Sequence, residues 1–222
     1  GQTADDMTAR LAELLKRQYD ITSKVRRGTE CTFLEAVGET YKNLFAPDTS
    51  LKIERGAFGM LCDVLGGLQR GGVYVIAARP GDGKTDVALQ LAVTLAKDYR
   101  VDYRSLEMST EQLTHRILSR ACIINSTRFR DHQINESEQK RIGMVVDAMK
   151  GLHLVMDDTG SISAEDVEAK LAASKPDVMF IDYLGLMKGD TSGKKPLWQV
   201  TGETMHALKA SAKRHNVVIV AL

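Results

Sequence analysis

Short apolar runs alternate with longer stretches in which apolar residues recur every three or four positions, so strands and helices take turns along most of this chain. The runs at 73–77, 101–106, 152–156, 178–181 and 217–222 predict strands, and the helical period predicts helices over 86–97, 110–124, 136–149, 164–174 and 199–215. Two signals place helix starts: Ser109 with Gln112 three residues on has the form of a capping box, and Ser163 with Asp166 is its acidic counterpart. Such alternation predicts an α/β fold, a mainly parallel sheet covered by helices on both faces. Ahead of it, 4–26 sets Met7, Leu11, Leu14, Leu15 and Tyr19 along an amphipathic helix that packs either on its own domain or on a neighbouring subunit. A shorter helix over 32–45 precedes a break at Pro47-Asp48, so the expected units are an extension, 1–48, and a main domain, 49–222.

The first strand runs straight into Ala78-Arg79-Pro80-Gly81-Asp82-Gly83-Lys84-Thr85-Asp86. A strand, a glycine-rich turn ending in Gly-Lys-Thr and then a helix is the context of a phosphate-binding P-loop. Gly81 and Gly83 let backbone N–H groups curl around phosphate oxygens, Lys84 reaches the β and γ phosphates, and the Thr85 hydroxyl can ligate Mg²⁺. Ala78 stands where the strict pattern has glycine, a small departure. Asp82 and Asp86 add two carboxylates in or beside the loop, which predicts nucleotide binding that is weaker or more dependent on Mg²⁺.

Asp182 ends the apolar run Val178-Met179-Phe180-Ile181 and is a candidate metal-side acid, followed by Tyr183 where many ATPases carry a catalytic Glu. The base must then come from elsewhere, and Glu107, at the end of the second strand, is the candidate. In an open parallel sheet the carboxyl ends of strands line the ligand crevice, where a glutamate can polarise attacking water. The plainer reading is an exposed Glu that opens a helix.

Composition narrows the class. With 43% hydrophobic residues among 222, the chain can bury one full core. Its 30 basic and 29 acidic residues leave a net charge of +1, so any nucleic-acid contact has to come from a local patch. Cys31, Cys62 and Cys122 have no paired spacing, and His115, His132, His153, His206 and His215 have no ligand spacing. No apolar run reaches the length of a membrane span and the N-terminus is too polar for a secretory signal, so the expected location is cytoplasmic, with no membrane partner.

Gly66-Gly67-Leu68, the loop Ala77 to Thr85, Ser105-Leu106-Glu107-Met108-Ser109 with Gln112, Leu113 and Arg116, Asp158-Thr159-Gly160 and Ile181-Asp182-Tyr183-Leu184 together resemble the RecA-type motor domain of DnaB-like replicative helicases, over about 49–222. The resemblance implies a RecA-like P-loop fold that uses ATP and Mg²⁺, forms a hexameric ring, translocates on single-stranded DNA and meets a primase or helicase loader. It also implies that Lys84 and Thr85 bind phosphate and metal, that Asp182 supports the metal and that Glu107 is the catalytic base. In that family the segment after the Asp182 strand faces the ring channel. Lys194 and Lys195 are therefore candidate phosphate contacts and Trp198 a candidate base-stacking residue; a solvated loop with an aromatic anchor is the other reading.

The departures matter too. Gly185 stands where such helicases usually carry Gln, and Leu222 falls inside an expected central strand, ahead of the sensor and cationic finger that the resemblance places further on. Such a finger is worth roughly three to five orders of magnitude in turnover, so this stretch is expected to bind nucleotide but hydrolyse it poorly alone. The N-terminal domain usual in such helicases is also not in it. Two other readings remain: a recombination or repair ATPase of the RecA type, and a module that binds ATP without hydrolysing it and docks on a helicase.

Overall fold

A computed structural model describes residues 31–187 and 196–222, which fall in two compact units, 1–48 and 49–222. In the first, helix α1 (Phe33–Leu44) starts where Thr32 and Glu35 bond reciprocally: the Thr32 N–H donates to the Glu35 carboxylate at 2.7 Å and the Thr32 hydroxyl accepts from the Glu35 N–H at 3.3 Å. The expected helix over 4–26 lies outside the described residues.

In the second unit, one five-stranded sheet forms from β1 (Val73–Val75), β2 (Val101–Ser105), β3 (Leu154–Asp157), β4 (Val178–Asp182) and β5 (Val218–Ala221). The strand order is β1-β5-β4-β2-β3 and each pairing is parallel, with Val73 opposite Ile219, Val178 opposite Val218, Val101 opposite Val178 and Val101 opposite Leu154. Strands β2, β4 and β5 are buried along their whole length; β4 and β5 therefore read as unbroken apolar runs, while β2 sets Asp102 and Arg104 alternately among Val101, Tyr103 and Ser105. Side chains still alternate between two cores. Val178 and Phe180 face one side with Tyr103, Val218 and Val220, packed under Ala88, Leu91 and Leu95 of α3 (Lys84–Leu95) and Leu113 of α4 (Thr110–Cys122). Met179, Ile181 and Ile219 face the other, under Val167 and Leu171 of α5 (Ala164–Ser174) and Leu208 and Ala212 of α6 (Leu197–His215). Each fully buried large side chain contributes about 1.5–3 kcal/mol.

Both expected capping boxes are present. The Ser109 hydroxyl accepts from the Gln112 N–H at 3.2 Å and the Ser163 hydroxyl from the Asp166 N–H at 3.2 Å, with the returning bonds at 3.1 and 2.9 Å. The expected strand over 152–156 is displaced: Leu152 closes the preceding helix by donating to Met149, so pairing starts two residues later and runs to Asp157. The first strand stops at Val75, short of the expected 77, although Ile76 still donates to Ala221. Helices that patterning left out are α2 (Arg55–Leu65), kinked at Gly56, and the short Ser126–Arg130. Among the described residues no helix is long and apolar enough to cross a membrane.

Candidate nucleotide site

Because all strands run parallel, their carboxyl ends share one edge of the sheet, and the segments that follow β1, β2 and β4 meet there. After β1 the chain turns at Arg79, whose carbonyl accepts from the Asp82 N–H at 3.2 Å. Gly81 (φ 89°) and Gly83 (φ 81°) then take left-handed conformations that an L side chain would strain. A Cβ added at Gly81 would meet nothing within 4 Å, so backbone geometry, not crowding, requires glycine there. Gly83 caps α3, whose first intrahelical bond runs from the Val87 N–H to the Gly83 carbonyl at 3.0 Å. The N–H groups of Lys84, Thr85 and Asp86 are thus left over at a positive helix end, a ready anion site. Ala78 to Asp82 are exposed, and Gly83 to Asp86 half-buried.

Lys84 reaches from this loop to the β4 end, its Nζ lying 4.6 Å from the centroid of the Tyr183 ring. Asp182, just before it, is 2% exposed. Its Oδ2 accepts from the Tyr103 hydroxyl at 2.8 Å, while its Oδ1 is buried with no hydrogen-bond partner. Burial, and next the Asp182 charge, push the Tyr103 pKa far up, so the phenol remains a proton donor. An anionic oxygen buried without a partner is costly unless something else coordinates it. Asp182 and the Thr85 hydroxyl offer only oxygen donors, and that chemistry suits Mg²⁺.

Glu107 is exposed and follows β2 in a tight turn. Ser105, registered opposite Asp182, closes that turn: its hydroxyl donates to the Met108 carbonyl at 2.6 Å and accepts from the Met108 N–H at 3.1 Å. The Leu106 N–H donates to the Asp182 carbonyl at 2.6 Å, so the chain bearing Glu107 is tied to the Asp182 strand. Next along the edge, Asp158 accepts from the Thr110 N–H and hydroxyl at 2.8 and 3.2 Å, anchoring the start of α4.

Three features of the site could not be found from patterning. Tyr103 looks like a plain strand aromatic until its hydroxyl is seen on Asp182. Arg116 on α4 pairs with Asp86 at 3.1 Å, so one of the two extra carboxylates is offset by a cation; Asp82 remains exposed. Arg104, 6% exposed, bridges Asp102 at 2.5 Å and Asp157, with Lys170 at 3.7 Å from Asp157. A hydrogen bond from Thr159, then the nearby cations, holds the Asp157 carboxyl below its usual range. The alternating Asp102 and Arg104, opposite charges on one face of a strand, were the only signal for that cluster. Lys194 and Lys195 lie outside the described residues; Trp198 sits in the first turn of α6, 76% exposed.

Residues 55–222 match the family model described as the DnaB-like helicase C terminal domain. A replicative DNA helicase DnaB of Geobacillus stearothermophilus is 28% identical over 227 residues, which covers 98% of this chain and 50% of that protein. Across the first two curated relatives, the chain spans 36% to 50% of their length. Among solved structures, one ATPase domain superposes with a TM-score of 0.74 at 24% identity, covering 87% of this chain and 71% of that one. A DnaB-like replicative helicase studied for its interactions with primase gives 0.74 at 21%, covering 98% and 57%; likenesses at this identity establish a shared RecA-like fold. With more than half of its length matched by the family model, the chain belongs to the family of DnaB-like helicase C-terminal domains.

Proposed function

We propose that this chain is the ATP-hydrolysing motor domain of a replicative DNA helicase, coupling ATP turnover to translocation on single-stranded DNA and separation of the duplex. The observation that carries the reading is the buried Asp182, with one oxygen on Tyr103 and one unpartnered, at the same sheet edge as the phosphate loop and Glu107. ATP would lie with its phosphates over Gly81 to Thr85, its charge met by the start of α3 and by Lys84. Glu107 takes a proton from a water aligned with the γ-phosphate, and Lys84 stabilises the negative charge on the transferring group. Thr85 and Asp182 would hold Mg²⁺, which when bound would supply charge neutralisation at the triphosphate.

Residues 49–222 are then the motor and 1–48 a linker extension. The protein works as a homo-hexamer in the cytoplasm, with single-stranded DNA in its channel and a primase or loader as partner. Lys194 and Lys195 contact DNA phosphates and Trp198 stacks on a base. Strand displacement on a forked DNA substrate by the protein at its full natural length tests this reading. ATP-dependent displacement, lost in Lys84→Ala, is the expected result; ATP turnover stimulated by DNA without displacement would point to a recombination-type ATPase.

A further inference from the structure

We propose that Tyr183 is a positioning residue for Lys84, and that Gly185 is what allows its ring to stand in that place. This rests on the nucleotide-site reading above and adds a residue to it. The Lys84 ammonium lies 4.6 Å from the Tyr183 ring centroid, within cation–π range. A lysine carries a flexible four-carbon stem, and a seat that narrows its freedom lowers the ordering cost when phosphate is bound. A carboxylate would also hold the amine, but it would neutralise the charge the phosphates need. A ring face holds it and leaves the charge in place.

The ring is itself fixed from three sides. Its backbone follows the buried Asp182, whose carbonyl accepts from Leu106 at 2.6 Å. Beyond it, Leu184 donates to the Leu222 carbonyl at 2.8 Å and Leu186 to the Tyr183 carbonyl at 3.1 Å, which closes a short 3₁₀ turn, Leu184–Leu186. Gly185 lies in that turn, and a Cβ there would come within 2.9 Å of Tyr183 Cε2 and 3.3 Å of Cδ2. Gly185 has no positive φ, so the reason for glycine is space beside the ring rather than backbone conformation. Tyr183 also packs against the core on the α3 side, which keeps the ring on the Lys84 side of the sheet.

The test is equilibrium binding of a fluorescent N-methylanthraniloyl-ATP with Mg²⁺ to the protein at its full natural length. Tyr183→Leu is expected to raise Kd roughly three- to tenfold, the scale of a partly desolvated cation–π contact, while Tyr183→Phe, which keeps the ring, stays within about twofold of the parent. In a Lys84→Ala background Tyr183→Leu should add nothing, because the contact is already gone. Gly185→Ala should weaken binding in the parent and not in Tyr183→Leu. Parent-like binding by Tyr183→Leu, or an equal loss with and without Lys84, overturns the proposal. Parent-like binding by Lys84→Ala itself would instead overturn the nucleotide-site reading on which the proposal stands. Should Tyr183→Leu fail to fold, the Gly185→Ala and Tyr183→Phe arms decide: parent-like Kd in Gly185→Ala overturns the proposal.

Discussion

Replacing Tyr103 by Phe removes one oxygen from the centre of the sheet and nothing else. Tyr103 is fully buried and its ring stacks on Phe180, with centroids 5.5 Å apart and planes 17° from parallel, contacts that Phe retains. What is lost is the hydroxyl's 2.8 Å bond to Asp182 Oδ2. Asp182 Oδ1 already lacks a partner, so in the variant a buried carboxylate would have none on either oxygen. A hydrogen bond to a charged group contributes about 1.5–3 kcal/mol, which for a unit of this size corresponds to a fall in Tm of about 3–12 °C. Thermal and urea unfolding followed by circular dichroism measure it. In an Asp182→Asn background the acceptor is neutral, and the same substitution should cost about half as much. An unchanged Tm, or the same loss in both backgrounds, would refute the claim that this phenol holds Asp182.

Other expectations follow from the same geometry. Arg104→Met leaves the buried Asp102 and the half-buried Asp157 without that cation, and should destabilise by about 3–5 kcal/mol in urea unfolding; a loss below about 1 kcal/mol would show that the cluster is not held by Arg104. Arg116→Ala exposes the full charge of Asp86 beside the phosphate loop, and ATP affinity should fall about two- to fivefold and recover when Asp86→Asn is added; equal affinities would remove Arg116 from the account. Glu168 accepts from Ser211, His215 and Arg214, in that order of effect, which lowers its pKa from 4.5 to about 2. A depressed carboxylate contributes stability in full above pH 4.5 and loses it as pH falls toward 2, so the Tm gap between the parent and Glu168→Gln should be widest above pH 4.5 and close below it; a gap that does not change from pH 6 to 2.5 would contradict this.

Much of the fold was written locally. Strands β4 and β5 are apolar runs because both faces are covered, and Ser109 and Ser163 mark helix starts through bonds only three residues long. The loop from Gly81 to Thr85 was equally legible, since its glycines answer to backbone angles rather than to distant partners. What stayed hidden depends on residues far apart in sequence. The Tyr103–Asp182 bond joins positions 79 apart and the Arg116–Asp86 pair positions 30 apart, so neither has a local pattern. The helix Arg55–Leu65 was hidden differently, Gly56 and Gly59 lowering its propensity below what patterning would accept.

In the proposed function, Glu107 acts on water at a site made by the loop and Asp182, and DNA drives the cycle. The most direct test is ATP turnover with and without single-stranded DNA, comparing the parent with Glu107→Gln at full natural length. Turnover should rise with DNA and be abolished in Glu107→Gln while ATP binding is kept. Turnover indifferent to DNA, or undiminished in Glu107→Gln, would contradict it.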